Sequence, residues 1–149
     1  MELGKATISS ENNLCLISIY SKQIAALYKI LLEKIYFYNL SINILNYHEF
    51  SKESNLSFLI SHNYINDISK ILDELKFIYL DCTIKITKKT SFITIHDSVI
   101  NTNKVLNFYN ILSNLEVSIY YYNLKNNKFT ICISNNYYCN VIKLIYSYF

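Results

Sequence analysis

The stretch LCLISIY (residues 14–20) begins a strand–helix–strand–strand–helix pattern that occurs twice in the chain. In the first copy the next elements are a helix over about 22–36, LSINILNY (40–47), NLSFLIS (55–61) and a helix over about 63–75. The second copy has the same order, in SFITIHD (91–97), a helix over about 102–113, LEVSIYYY (115–122), NKFTICIS (127–134) and a helix over about 136–148. Two such copies predict an α+β fold with two small antiparallel sheets, each with its helices on one face.

The spacing of apolar residues distinguishes the helices from the strands. The first predicted helix has apolar residues three and four positions apart, namely Ile24, Leu27, Tyr28, Leu31 and Ile35. The predicted strand NLSFLIS instead alternates with a period of two, through Leu56, Phe58 and Ile60. The first spacing puts side chains on one face of a helix, and the second puts them on one face of a strand. Each predicted sheet therefore has one apolar face for its helices to cover.

The two copies differ by one strand. The first copy continues into DCTIKIT (81–87), whereas the second stops at its last helix, and a further strand, KATIS (5–9), precedes the first copy. A sheet without its edge strand leaves backbone groups unpaired, so we expect the N-terminal strand to complete the second module. The predicted domains are 11–88 for the first module, and 89–149 with strand 5–10 for the second.

Charge and hydropathy narrow the class of protein. The net charge is +3, and the lysines are scattered along the chain, whereas a nucleic-acid-binding protein usually concentrates them on one surface. No segment of about 20 residues is free of polar side chains, so no membrane span is predicted. The N-terminus MELGKATISS lacks the hydrophobic core of a signal peptide, which favours a cytoplasmic location.

Residues that support catalysis are scarce. Gly4 is the only glycine and there is no arginine, so the sequence offers neither a glycine-rich phosphate loop nor a bidentate clamp for an anion. The four cysteines lack the two-residue spacing of a zinc or redox motif. His96-Asp97 is a candidate acid–base pair, but no Ser or Cys motif accompanies it, and a solvated pair at a strand end is the ordinary interpretation. We predict no catalytic residue, cofactor or metal site in this chain.

The chain resembles the regulatory C-terminal region of aspartate kinases, a tandem pair of ACT domains. The segment ATISSENNLCLISIY (6–20) is similar to the family's opening strand, acidic turn and second strand. The other segments that carry the resemblance are IAALYKILLEKIYFYNLSINIL (24–45), NLSFLI (55–60), YINDISKILDELK (64–76), NLEVSIYYYN (114–123), NKFTICIS (127–134) and YYCNVIKLIYSYF (137–149). The resemblance is mostly one of pattern and spans nearly the whole chain.

The resemblance implies two ferredoxin-like (ACT) βαββαβ modules, with the N-terminal strand completing the second. It also implies a regulatory or assembly chain in lysine and threonine biosynthesis that lacks the aspartate-phosphorylating domain. Pairs of this kind dimerise, contact an aspartate kinase catalytic domain or subunit, and bind lysine or threonine. These are therefore the expected partners and effectors, and the sequence does not determine whether an effector still binds.

The resemblance places an effector loop between the first strand and the first helix of each copy. The corresponding candidate effector-binding residues are Ser21, Lys22, Gln23 and Ile24 in the first copy, Asn101, Thr102 and Asn103 in the second, and Asn39 and Asn43 near the family's ligand-facing strand. Neither loop contains the Gly or Pro of the family's Asp-x-Pro-Gly-like turn, which lets backbone amides approach a carboxylate closely. We therefore expect weak or absent binding of lysine and threonine, with Ser21 and Thr102 capping their helices.

Three other interpretations stay open at this point. One is a free-standing amino-acid-sensing ACT protein that controls another enzyme or transcription. Another is an RNA-binding sheet protein, suggested by Tyr120, Tyr121 and Tyr122 at the end of a predicted strand, although the glycine-containing motif of such modules is missing. The last is a fragment of a split gene.

Overall fold

Strands and helices follow one another in the predicted order. A computed structural model of the chain describes residues 6–49, 54–98 and 100–149. The strands in these ranges are β1 (Thr7–Tyr20), β2 (Ile42–His48), β3 (Asn55–Ser61), β4 (Thr83–His96), β5 (Ile119–Lys125) and β6 (Lys128–Ser134). The helices are α1 (Ile24–Phe37), α2 (Ile65–Ile78), α3 (Thr102–Asn114) and α4 (Tyr138–Tyr148). None of these four helices is long and apolar enough to cross a membrane.

The strands hydrogen-bond in the order β2-β3-β1-β4-β6-β5. Strand β3 pairs antiparallel with both β1 and β2, and β6 pairs antiparallel with both β4 and β5. This order, with two helices following the pattern in each half, confirms the predicted α+β class and its two ferredoxin-like modules.

The first of two compact units is Leu14–Lys88. Its strand order is β2-β3-β1-β4, counting the end of β1 from Leu14 and the start of β4. Alternate residues form the apolar face of this sheet, with Ile17 opposite Phe58 and Ile19 opposite Leu56. These side chains are buried together with the apolar stripes of α1 and α2, so the helices cover one face of the sheet as predicted.

The second unit contains Lys89–Phe149 and, among the described residues, 6–13. Strand β1 lies beside β4, and Ala6 and Ile8 pack against the core that α3, α4 and the strands of this unit form. The N-terminal segment therefore supplies the fourth strand of the second module, which confirms that part of the predicted fold. Lys5, the first residue of the predicted strand, lies outside the described residues.

The internal repeat extends to the details of strand pairing. The β2–β3 register shifts once, between Ile44 and Asn46, and the β5–β6 register also shifts once, between Ile119 and Tyr121. Each unit also has a three-residue 3-10 turn between its third strand and its second helix. The two halves are therefore copies of one architecture, although they share few residues.

The predicted acidic turn near Glu11 is absent. We expected two strands in residues 6–20 and two in residues 81–97, but β1 and β4 are each continuous over 14 residues. Asn13 and Lys89, at the boundary between the units, have positive φ angles of 57° and 56°. One left-handed residue bends a strand without ending its ladder, as in a β-bulge, so no turn is required.

The start of β5 is also displaced from its prediction. We expected the strand at Leu115, whereas it begins at Ile119. Helix α3 ends in a left-handed residue, Glu116, and the N–H of Val117 donates back to the carbonyl of Leu112 at 3.1 Å. Leu115 and Val117 thus belong to a Schellman helix end, whose apolar residues resemble the start of a strand in sequence.

Candidate functional site

The predicted effector loop of the first unit is short and closed by hydrogen bonds. Ser21 Oγ donates to both carboxylate oxygens of Asp81, at 3.1 and 3.3 Å, and Lys22 N donates to Asp81 Oδ2 at 2.8 Å. The same hydroxyl accepts from Gln23 N at 3.1 Å, and Ser21 N donates to Ser54 O at 3.3 Å. Ser21 is only 6% exposed. The loop is therefore bonded to the turn before β4, with Ser21 buried and the side chains of Lys22, Gln23 and Asp81 exposed.

Asp81 places a negative charge beside the N-terminal end of α1. The helix begins at Ile24 with Gln23 as its N-cap, and the side chain of Gln23 makes no capping hydrogen bond. The prediction that Ser21 caps this helix is wrong. The Ser21 hydroxyl accepts a hydrogen bond from the N–H of Gln23, which is itself the N-cap and precedes the first helical residue. A carboxylate near the positive end of a helix dipole is stabilising, so Asp81 supplies the charge that a bound anion would supply there.

A cleft of about 400 Å³ adjoins this loop, lined by Lys22, Gln23 and residues 78–81. Asp81 forms part of its wall, and Leu80 at its rim is 91% exposed. The cleft is large enough for a small ligand. The backbone N–H of Lys22, however, already donates a hydrogen bond to the carboxylate of Asp81.

In the second loop, between β4 and α3, the side-chain amide of Asn101 caps the helix. Asn101 Oδ1 accepts from Lys104 N at 2.9 Å, so Asn101 is the N-cap and the predicted cap, Thr102, is the first residue of the helix. Asp97 is 3% exposed, and its Oδ2 lies 3.9 Å from Lys104 Nζ. The expected solvated pair at His96-Asp97 is therefore wrong for Asp97, although His96 is exposed. Both helix N-termini have an oxygen acceptor from their own unit.

Within the first unit, Asn39 and Asn43 lie far from Ser21–Ile24. Asn39 follows the C-terminal end of α1, and a helix of 14 residues is about 20 Å long. Asn43 lies opposite Leu59, which in turn lies opposite Leu16. This register places Asn43 five strand positions from Ser21, or about 17 Å along the sheet. The predicted effector set thus falls into separate groups.

Asp81 is a residue of this loop's hydrogen-bond network that the sequence analysis did not identify as part of the candidate site. The position of Asp81 in the sequence, just before β4, was a usable signal. Strand β4 lies beside β1, which ends at Tyr20, so a residue just before β4 lies next to the loop that follows β1. That neighbour relation is a property of the sheet order and not of local sequence.

The aromatic residues of β5 do not form one open surface. The ring of Tyr122 lies 4.9 Å from that of Tyr109 on α3, so it points to the helix side of the sheet. Tyr121 lies opposite Cys132, which is on the other face. Three consecutive tyrosines therefore do not provide the aligned stacking platform that RNA-binding sheets use.

The described part of the chain holds no catalytic constellation that we can identify. Cys15 Sγ lies 3.5 Å from His62 Nδ1, but burial raises the pKa of the Cys15 thiol, which the Lys88 charge only partly offsets. Burial also raises the pKa of Cys132 to about 11. Such thiols stay protonated near neutral pH and are poor nucleophiles.

No cluster of three or more His, Cys, Asp or Glu side chains suited to a metal occurs among the described residues.

The fold defines a class of protein, the tandem pair of ferredoxin-like modules in which a strand from before the first module completes the second. No protein-family model matches the sequence, and no curated protein is a significant sequence match. Solved structures that are similar to the chain include aspartate kinases and their regulatory chains. The sequence identities of the three described next, 18%, 8% and 13%, are too low to show more than the shared fold.

Three of these structures illustrate the match. The aspartate kinase of Clostridium acetobutylicum superimposes with a TM-score of 0.80 at 18% identity, over 99% of this chain and 35% of that one. The ligand-free regulatory subunit of aspartate kinase from Thermus thermophilus gives 0.75 at 8% identity, over 95% of this chain and 96% of that one. A structure of aspartokinase alpha and beta subunits gives 0.76 at 13% identity, with 95% of each chain covered. The chain therefore spans about a third of the Clostridium enzyme and nearly all of the separate regulatory subunit.

Proposed function

We propose that this chain is a regulatory or assembly module of aspartate kinase, the ATP-dependent enzyme that phosphorylates aspartate, and that it lacks the catalytic domain. The observation that carries the proposal is the superposition on a separate regulatory subunit over 95% of this chain and 96% of that one. At this coverage the superposition includes both modules and not only one.

The proposed partner is an aspartate kinase catalytic chain. One of the similar structures contains aspartokinase alpha and beta subunits together, which supports a partner of this kind. We propose in addition that the chain forms a homodimer through its modules and acts in the cytoplasm. In this role it contributes positioning and contact surface to the enzyme, which is consistent with the lack of a catalytic constellation among the described residues.

Control by lysine or threonine is proposed to be weak or lost. The candidate residues Ser21–Ile24 lie at a loop that Asp81 already closes, and Asn101 already caps the helix next to Thr102 and Asn103. A ligand carboxylate would have to displace these acceptors. Allosteric control also requires a ligand that binds two states with different affinity, so an effector that does not bind exerts none.

Affinity capture tests the proposed partnership. A tagged form of the chain, expressed in its source cells, is expected to retain an aspartate kinase catalytic chain that is identified by mass spectrometry and by kinase activity. Ile8→Asp places a charge against the core of the second unit and should abolish capture. The matched control is Thr7→Asp, which adds the same charge at an exposed position of the same strand and should not.

Two results would contradict the proposal. If the wild-type chain retains no catalytic chain, the partnership is wrong. If calorimetric titration shows micromolar binding of lysine or threonine, the loss of effector binding is wrong, even when the partnership holds. Capture of a different enzyme or a transcription factor would instead support a free-standing amino-acid-sensing protein.

A further inference from the structure

We propose that Asp81 is an autoinhibitory carboxylate that holds the loop 21–23 closed and so keeps free amino acids out of the first unit. The proposal rests on the proposed function only in naming free amino acids as the excluded ligands. Its basis is a set of contacts that join two segments 60 residues apart in sequence.

Both carboxylate oxygens of Asp81 accept hydrogen bonds from the loop. Oδ1 accepts from Ser21 Oγ, and Oδ2 accepts from Ser21 Oγ and from Lys22 N. Ser21 extends the network, because its hydroxyl accepts from Gln23 N. The two amides that lead into α1 are thereby satisfied from within the chain. Hydrogen bonds to an ionised carboxylate are roughly twice as strong as neutral ones.

The position of Asp81 is fixed by the core. It lies in a tight turn in which Cys82 N donates to Tyr79 O at 3.0 Å, and Tyr79 is buried in the core of the first unit. The loop is fixed from its other side by the bond from Ser21 N to Ser54 O. The backbone on both sides of the contact is therefore positioned by other bonds, which lowers the entropic cost of making the contact.

A free amino acid competes with this carboxylate at a disadvantage. An intramolecular group on a short flexible linker has an effective concentration of about millimolar, and Asp81, although 60 residues away in sequence, is held next to the loop by the fold. The cleft lined by Lys22, Gln23 and residues 78–81 has Asp81 in its wall. Removal of that carboxylate both enlarges the cleft and frees the N–H of Lys22 for a ligand carboxylate.

The experiment compares carboxylate binding by Asp81→Ala, Asp81→Asn and the wild-type full chain. Asp73→Ala is the matched control, because Asp73 is an exposed carboxylate on α2 and its removal changes the net charge equally. Acetate, glycine, L-lysine and L-threonine are titrated by calorimetry, and the amide resonances of Lys22 and Gln23 are followed by NMR to locate the bound ligand.

We expect no saturable binding by the wild type or Asp73→Ala at millimolar ligand. Asp81→Ala is expected to bind acetate and the amino acids at least about tenfold more tightly, within the usual range of coupling between competing ligands, with shifts at Lys22 and Gln23. Asp81→Asn retains the shape and one acceptor oxygen, so intermediate binding is expected. This variant also provides the test if Asp81→Ala does not fold.

Equal binding by the wild type and Asp81→Ala would overturn the proposal, as would the absence of binding in both Asp81 variants. These outcomes are distinct from failure of the proposed function. A gain of ligand binding in Asp81→Ala without capture of an aspartate kinase catalytic chain would support the role of Asp81 and refute the partnership.

Discussion

In the part of the chain that the structure describes, the left-handed backbone positions are occupied by residues other than glycine. Asn39 and Glu116 have φ angles of 54° and 56°, and each follows a helix that closes with the same two hydrogen bonds to the preceding turn. Glycine usually occupies this position because it has no Cβ to clash with the backbone. Asn tolerates the conformation through its short polar side chain, whereas a Glu side chain offers no such compensation.

Glu116→Gly is therefore expected to raise the free energy of unfolding by about 1 kcal/mol, because it relieves the Cβ clash at a left-handed position. Asn39→Gly, at the equivalent position of the first unit, is the control and should give a smaller increase. Urea denaturation followed by circular dichroism measures both. Destabilisation by Glu116→Gly would show that its side chain contributes more than its backbone conformation costs.

At the same scale the candidate site was only partly predictable. The sequence located the two loops and the absence of Gly and Pro in them. It did not show that Asp81 bonds to Ser21, or that Asn101 and not Thr102 caps α3. A cap depends on which residue has extended backbone geometry, and Asn and Thr are both favourable caps in sequence. The Asp81 contact depends on sheet order, which no local pattern encodes.

The β5–β6 hairpin has an unfavourable charge arrangement next to its turn. Its turn consists of Asn126 and Asn127, both left-handed, as two-residue hairpin turns require. On either side of the turn Lys125 lies opposite Lys128, and Lys128 also lies opposite His96 on β4. Like charges directly opposite each other destabilise a sheet.

Lys128→Glu is expected to increase the free energy of unfolding by roughly 0.5 kcal/mol, since it replaces a repulsive cross-strand pair with an attractive one. The gain should shrink at high salt, where exposed charges are screened. Urea denaturation at low and high ionic strength measures it. Lys143→Glu on the exposed face of α4 makes the same charge change away from these strands, and an equal effect there would mean that net charge, not pairing, is responsible.

Elements with a regular period were predictable, and the departures were at their ends. The helices were found within about three residues because one face of each had to be apolar. The continuity of β1 and β4 was not predicted, because the polar residues between the apolar segments indicated a turn, whereas Asn13 and Lys89 bend each strand through one left-handed residue without ending it. The start of β5 was misplaced because Leu115 and Val117 are apolar residues of a helix end.

At the scale of the whole molecule, each of the two units contains a fully buried cysteine. Cys15 belongs to the first unit and Cys132 to the second, and both are fully buried. Burial raises the pKa of both thiols, that of Cys132 to about 11. The thiolate is the form that attacks an alkylating reagent, so at neutral pH both cysteines should react only when their unit opens. The rate should rise with pH, because the thiolate fraction increases up to the pKa.

The two units are expected to respond separately to equivalent core changes. Phe58→Ala and Phe129→Ala each remove a fully buried ring, at a cost of about 3–5 kcal/mol. Phe58→Ala should accelerate labelling of Cys15 more than that of Cys132, and Phe129→Ala should do the reverse. Mass spectrometry of peptides after alkylation at one pH measures both rates, with exposed Cys139 as the internal reference. If either variant accelerates both cysteines equally, the chain opens as one cooperative unit, and the division into two units describes its contacts but not its stability.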